Sequence, residues 1–156
     1  MIKKINVQIA FKKIHKDSTL FGKAISKFTK SNFYHVEIII NNMWISADSP
    51  MGVTIQELKE LKHNHWEYYD FGEITILEKD YITIMEFINK QRGKKYDYIG
   101  IAFSQTIPLT LHSQNKLFCS EFVTKVLQLL LIQEVLDLQP NMVSPAMLAK
   151  IFNMEK

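Results

Sequence analysis

The chain has 156 residues, of which 47% are hydrophobic, and a formal net charge of +3. This length suits one domain with a substantial core, and the 10 Phe, 6 Tyr and 2 Trp argue against disorder. The small basic excess is spread along the chain, whereas nucleic-acid-binding domains gather Lys and Arg on one face. We therefore expect no nucleic-acid partner.

The first part of the chain predicts a strand, a helix and a hairpin. Hydrophobic residues alternate with polar ones over 5–11, which is typical of a strand with one buried face. A polar segment then supplies N-cap candidates for a helix over 20–30. Segments 33–40 and 43–47 predict a β-hairpin that turns at Asn41 and Asn42, since Asn tolerates left-handed backbone conformations.

The second part predicts mostly helices and two more strands. The expected elements are a short helix over 54–61 that begins with a capping box, strands over 65–71 and 73–77, helices over 80–92 and 97–105, a loop over 108–116, a helix over 119–132, and a last helix that begins at 144–145. This order of strands followed by helices predicts an α+β fold, with an antiparallel sheet and helices packed on it.

His35 and Cys119 are the residues most informative about chemistry. Cys119 is the only cysteine and opens the predicted helix over 119–132. Free N–H groups and the positive end of the dipole at a helix N-terminus favour the thiolate. His35 leads into a strand, where a rigid backbone could hold it as a general base. The pair predicts a cysteine nucleophile with its base upstream.

Cys119 also has a purely structural interpretation. It shares one helical stripe with apolar residues at offsets of three and four: Phe122, Val123, Val126, Leu127 and Leu130. Free cysteine is among the most buried residue types, so this stripe also fits a cysteine that only fills the core. The residues alone leave both interpretations open.

A third residue could orient His35. Strand alternation puts His35 and Glu37 on one face of their strand, and Ser46 and Asp48 on one face of the next. A tight turn at 41–42 would bring positions 46–48 opposite His35. Asp48 is therefore the expected orienting acid and Ser46 the alternative, while Glu37 stays open because the choice depends on the hairpin register.

Several motifs in this order resemble a known family. They are His35 at the start of a strand, Ser46-Ala-Asp-Ser-Pro-Met-Gly-Val, Tyr96-Asp97, Cys119-Ser-Glu-Phe-Val and Ser144-Pro-x-x-Leu148. Their order and spacing resemble the circularly permuted branch of the NlpC-type papain-like superfamily. That branch includes YiiX-like hydrolases and, more remotely, the lecithin:retinol acyltransferase group. The resemblance covers about 33–148.

The resemblance implies a single permuted papain-like domain over 1–156, with a half-barrel sheet and the cysteine helix packed on it. Cys119 then matches the nucleophile and His35 the base. Tyr96 matches a tyrosine that could bind the oxyanion together with the backbone N–H of Cys119. Relatives usually carry His or Glu at the position of Ser46. Either Asp48 replaces that residue, or the enzyme is weak or inactive.

The expected function is cleavage of an amide bond in a peptide-like substrate. The alternatives are a lipid acyltransferase or esterase with the same Cys-His pair, and an inactive binding module on the same fold. We expect no cofactor and no metal, because a nucleotide-binding glycine loop is missing and His63 and His65 with Asp70 make a poor metal site. A single cysteine, no signal peptide and no membrane-spanning run predict a cytoplasmic protein.

Overall fold

The computed structural model describes residues 1–48, 52–58, 60–62, 64–93 and 108–155. Within these ranges the fold is α+β, as predicted, with a five-stranded antiparallel sheet and four α-helices. The strands are β1 (Ile2–Lys13), β2 (Phe33–Ile40), β3 (Met43–Asp48), β4 (Gly52–Glu57) and β5 (Trp66–Leu77). The helices are α1 (Leu20–Thr29), α2 (Glu78–Gln91), α3 (Pro108–Leu129) and α4 (Pro145–Ile151).

The sheet has the order β4-β3-β2-β1-β5, so the long strand β1 pairs with both β2 and β5. The two strands predicted over 65–71 and 73–77 form one strand, β5. Val7 pairs with Gly72 and Gln8 with Asp70, which leaves Phe71 as the extra residue of a bulge. Gly72 has a φ of 71°, a left-handed conformation that suits glycine, so the predicted break is a bulge.

The hairpin of β2 and β3 turns at Asn41 and Asn42 as predicted, with φ values of 48° and 63°. The predicted helix over 54–61 is wrong, because Gly52–Glu57 forms strand β4 and pairs with β3 along its whole length. Val53 is buried and Thr54 exposed, which is the alternation of a strand. Pairing with β3 outweighs the local capping signal of Thr54 and Glu57.

Helices α1, α2 and α4 agree with their predictions. The Thr19 hydroxyl accepts a hydrogen bond from the Gly22 N–H at 3.1 Å and caps α1. Ser144 caps α4 by accepting from the Met147 N–H at 3.2 Å. These caps satisfy backbone donors that have no partner within the helix.

Helix α3 begins earlier than predicted. The sequence analysis expected a loop over 108–116 and a helix start at Cys119, but the helix runs from Pro108. Pro108 stands at the first helical position, where its missing N–H has no partner to lose, and no Gly or Pro interrupts the segment up to Leu129. Cys119 therefore lies well inside the helix and not at its N-terminus.

The main core lies between one face of the sheet and the helices. The apolar stripe of α3 packs against β2 and β3, and its residues Phe122, Val123, Val126, Leu127 and Leu130 are buried as predicted. A second, smaller cluster on the other face contains Ala10, Ile39 and Trp44, with Leu58, Leu61, Trp66 and Tyr68 packed against it. The candidate site lies where β2, β3 and α3 meet.

Candidate active site

His35 is held by the part of β2 that lies beyond its pairing with β3. In the β1–β2 ladder His35 pairs with Lys12. The β2–β3 ladder covers only three residue pairs and ends at Ile38 and Ile45. His35 and Glu37 therefore lie on a strand that is fixed by β1 on one side and has no ladder partner in β3 on the other. Their backbone is rigid, and their side chains can contact groups from other elements.

The structure brings His35 and Cys119 together, although they are distant in sequence. Cys119 is 5% exposed and lies at the end of the buried stripe of α3, which packs against β2. Burial lowers the pKa of His35, but the charge of Cys119 and a hydrogen bond with its sulfur oppose this effect, with further help from Glu37. The net pKa of His35 is raised well above 6.5. These interactions favour the imidazolium form of His35.

Glu37 is the carboxylate that contacts His35. The His35 Nε2 lies 2.8 Å from the Glu37 Oε1, and the two side chains are only 13% and 7% exposed. Burial raises the pKa of Glu37, but the hydrogen bond and charge of His35 and hydrogen bonds from Trp44 and Ser46 outweigh it, so the net pKa lies below 4.5. Glu37 is therefore an ionised acceptor for the imidazole.

The tautomer of His35 follows from this contact. Because Nε2 faces an ionised carboxylate, it keeps its proton when His35 is neutral. Nε2 then donates a hydrogen bond to Glu37 Oε1. This leaves Nδ1 as the ring nitrogen that can exchange a proton with the thiol of Cys119. In nucleophile–base–acid sets the histidine likewise uses one ring nitrogen for the acid and the other for the nucleophile.

The structure does not bring the predicted orienting acid, Asp48, to His35. Asp48 is exposed, pairs with Gly52 of β4 and makes no ion pair with His35, because the β2–β3 ladder ends before it reaches this position. Ser46, the predicted alternative, hydrogen-bonds to Glu37 and so reaches His35 only indirectly. The carboxylate that contacts His35 comes from the same strand, two residues later.

The sequence predicts two oxyanion donors, the hydroxyl of Tyr96 and the backbone N–H of Cys119. Tyr96 lies outside the described residues. The backbone N–H of Cys119 is not a free donor of a helix N-terminus, because α3 begins at Pro108 and an N–H inside a helix is bonded to the carbonyl four residues earlier. Because Cys119 lies inside α3, the expected effect of a helix N-terminus on its thiol does not apply. Among the described residues, His35 hydrogen-bonds to the Cys119 sulfur.

Sequence reasoning left Glu37 open as the third residue and did not single out Trp44. A signal for Glu37 was present, since an acidic residue interrupts the otherwise apolar run 36–40 on the same strand face as His35. Glu is almost never buried without a partner, so an acid in a buried strand points to a paired site. Trp44 carried no such signal, because a tryptophan in a strand is ordinary core material.

The described ranges contain neither a candidate metal cluster nor a candidate membrane-spanning helix. Among these residues, His, Cys, Asp and Glu form no group of three or more that could hold a metal ion. No helix in the described part of the chain is long and apolar enough to cross a membrane.

No protein-family model, curated protein or solved structure matches the chain.

The pKa shifts predict how pH changes the free energy of unfolding. Because the pKa of His35 is raised in the folded state, its interactions stabilise the fold fully below 6.5 and are lost as pH rises through the raised value. Glu37 has a lowered pKa, so its contribution is present above 4.5 and is lost as pH falls through the lowered value. In urea denaturation, His35→Gln should therefore destabilise the protein more at pH 6 than at pH 10. An equal loss at both pH values would contradict the ion pair.

Proposed function

We propose that this protein is a cysteine hydrolase that cleaves an amide bond in a peptide-like substrate. Cys119 is the nucleophile, His35 the general base and Glu37 the residue that orients the base. The observation that carries this proposal is the contact of His35 with Cys119 on one side and with the buried carboxylate of Glu37 on the other.

The proposed reaction proceeds in two steps. The Cys119 thiolate attacks the substrate carbonyl carbon, and the His35 imidazolium donates its proton to the leaving amine as the C–N bond breaks. His35, now neutral, takes a proton from water, which attacks the thioester carbonyl and releases the carboxylic acid and the thiolate. Glu37 stabilises the imidazolium in both steps and itself stays ionised.

The fold that we propose is papain-like and of the permuted NlpC type. Support comes from the α+β architecture, with an antiparallel sheet on which the cysteine-bearing helix packs, and from the order of His35 before Cys119 along the chain. In this interpretation Glu37 replaces the acid that relatives usually carry at the position of Ser46. A free thiol as nucleophile also suits a reducing compartment such as the cytoplasm.

Two observations favour a second candidate, a non-catalytic binding module on the same fold. Cys119 is only 5% exposed, and it lies inside α3 instead of at a helix N-terminus. In that case Cys119 packs the core, and the pair of His35 and Glu37 is a structural ion pair. The two candidates differ in whether Cys119 can be acylated.

Acylation by p-nitrophenyl acetate tests the proposal. We expect the wild-type protein to release about one p-nitrophenolate per chain in a rapid burst and to carry one acetyl group on Cys119, because the thiolate forms an acyl-enzyme. Peptide mapping by mass spectrometry identifies the acetylated residue. Cys119→Ala should show no burst, and His35→Gln should acylate much more slowly.

A native protein in which Cys119 is not acetylated, or is acetylated equally fast with His35→Gln, would contradict the hydrolase and favour the binding module. If acylation occurs, a synthetic peptide library then separates amide cleavage from ester or lipid chemistry. We expect peptide products in the wild type that are missing with Cys119→Ala. Acylation without any peptide cleavage would favour the esterase or acyltransferase alternative.

A further inference from the structure

Trp44 lies beside the proposed site on β3 and is 1% exposed. Its ring is fixed by aromatic neighbours from β5, with edge contacts to Trp66 at 5.1 Å and to Tyr68 at 6.0 Å between ring centroids. The Lys62 ammonium lies 4.4 Å from the centroid of the Trp44 ring. The Tyr68 hydroxyl in turn donates to the Lys62 carbonyl. The indole is therefore held from several sides.

The indole Nε1–H of Trp44 donates a hydrogen bond to Glu37 Oε2. The other carboxylate oxygen, Oε1, faces His35 Nε2. An indole can only donate, and it usually finds an acceptor when it is buried. The two oxygens of Glu37 thus have separate partners, one in the proposed base and one in a rigid aromatic side chain.

We propose that Trp44 is a positioning residue, which holds the carboxylate of Glu37 in the orientation that His35 requires. This inference rests on the proposed function and adds a residue that helps to position its general base, His35. A carboxylate with one donor can rotate about its terminal bond, whereas a second donor on the other oxygen fixes the plane of the group. Because packing immobilises Trp44, its hydrogen bond can hold Glu37 in one orientation.

Ser46 supports the same arrangement. Its hydroxyl hydrogen-bonds to the Glu37 carboxylate. Trp44 and Ser46 are two residues apart on β3, so strand alternation puts both on the face that bears Glu37. The carboxylate therefore has donors from β3 on one side and His35 of β2 on the other.

The test is the pH dependence of Cys119 alkylation by iodoacetamide in Trp44→Phe. Phenylalanine keeps an aromatic ring in the cluster and removes the Nε1–H. With a less ordered Glu37 the imidazolium is less stabilised, so we expect the ratio of alkylation rates at pH 6 and pH 9 to fall roughly tenfold, the effect of one charge-assisted hydrogen bond. The ratio cancels any change in reagent access that is independent of pH.

Matched variants separate positioning from packing. Tyr68→Phe removes a hydroxyl from the same cluster, but its partner is the Lys62 carbonyl, so the ratio should stay at the wild-type value. Ser46→Ala should lower the ratio and Ser46→Thr, which keeps the hydroxyl, should restore it. The ionisable groups around the site that could also affect the profile are Cys119, Tyr68, Lys12 and Lys62.

Two outcomes would overturn the positioning role. In the first, Trp44→Phe keeps the wild-type rates at both pH values. In the second, Trp44→Phe loses rate equally at both pH values, so the ratio is unchanged and Trp44 only packs. His35→Gln, measured alongside, distinguishes this failure from failure of the proposed function. If His35→Gln lowers the ratio and Trp44→Phe does not, the hydrolase proposal stands without the role of Trp44. If neither variant lowers it, the Cys-His pair itself is refuted.

Discussion

Replacing His35 with glutamine is expected to lower the alkylation rate of Cys119 at pH 7 by about 30-fold. The physical reason is the loss of the imidazolium that the proposed mechanism pairs with the Cys119 thiolate. An ordinary cysteine has a pKa of about 8.5, so only about 3% of it is ionised at pH 7. The measurement is the rate of iodoacetamide incorporation, followed by mass spectrometry of the intact chain.

The control for this prediction is His15→Gln, which replaces a different histidine, one that stacks on His65 at 3.9 Å between ring centroids. Its alkylation rate should equal that of the wild type. Equal rates in the wild type and His35→Gln would contradict the pairing of His35 with Cys119. Cys119 would then be a core residue, as its place in the apolar stripe of α3 allows.

Replacing Glu37 with alanine is expected to lower the free energy of unfolding by about 3–5 kcal/mol near pH 7, which is typical when one partner of a buried ion pair is removed. The change leaves His35 without its acceptor and the indole N–H of Trp44 without a partner. Glu37→Gln should destabilise less, because an amide oxygen can still accept one of these hydrogen bonds. Urea denaturation measures both variants.

Glu73→Ala is the matched control, since Glu73 forms an ion pair with Lys4 at 2.7 Å whose side chains are 50% and 67% exposed. Exposed ion pairs contribute little to stability because water and salt screen them, so this variant should stay close to the wild type. A loss of the same small size in Glu37→Ala would mean that water stabilises the Glu37 carboxylate. The proposed orienting role would then have no structural basis.

The elements with a clear local pattern were predictable from the sequence. Alternation in β1, the polar cap candidates before α1 and the two asparagines of the hairpin turn each act within a few residues. The structure confirms the elements that they predict. The strand over Gly52–Glu57 was not predictable in this way. Its capping signal is local, whereas its strand conformation depends on pairing with β3, a contact that the sequence alone does not display.

The sequence predicts the pair of the candidate site, but it leaves the third member open among Asp48, Ser46 and Glu37. His35 and Cys119 were selected by residue type and by their order in the chain, and the structure brings them into contact. Asp48 was chosen by extending the hairpin register, but the ladder ends at Ile38 and Ile45 before it reaches Asp48. The partner of His35 is instead Glu37, whose selection depends on side-chain packing around Trp44.

The central claim is that Cys119 and His35 form a thiolate–imidazolium pair in the folded protein. A pH titration of the ultraviolet absorbance of the thiolate tests it most directly, with Cys119→Ser as the reference that removes the signal. We predict that thiolate absorbance is already present near pH 6 and that His35→Gln moves its appearance to higher pH. The account would be contradicted if the absorbance developed only near the pKa of an ordinary cysteine, about 8.5, and did so equally in both proteins.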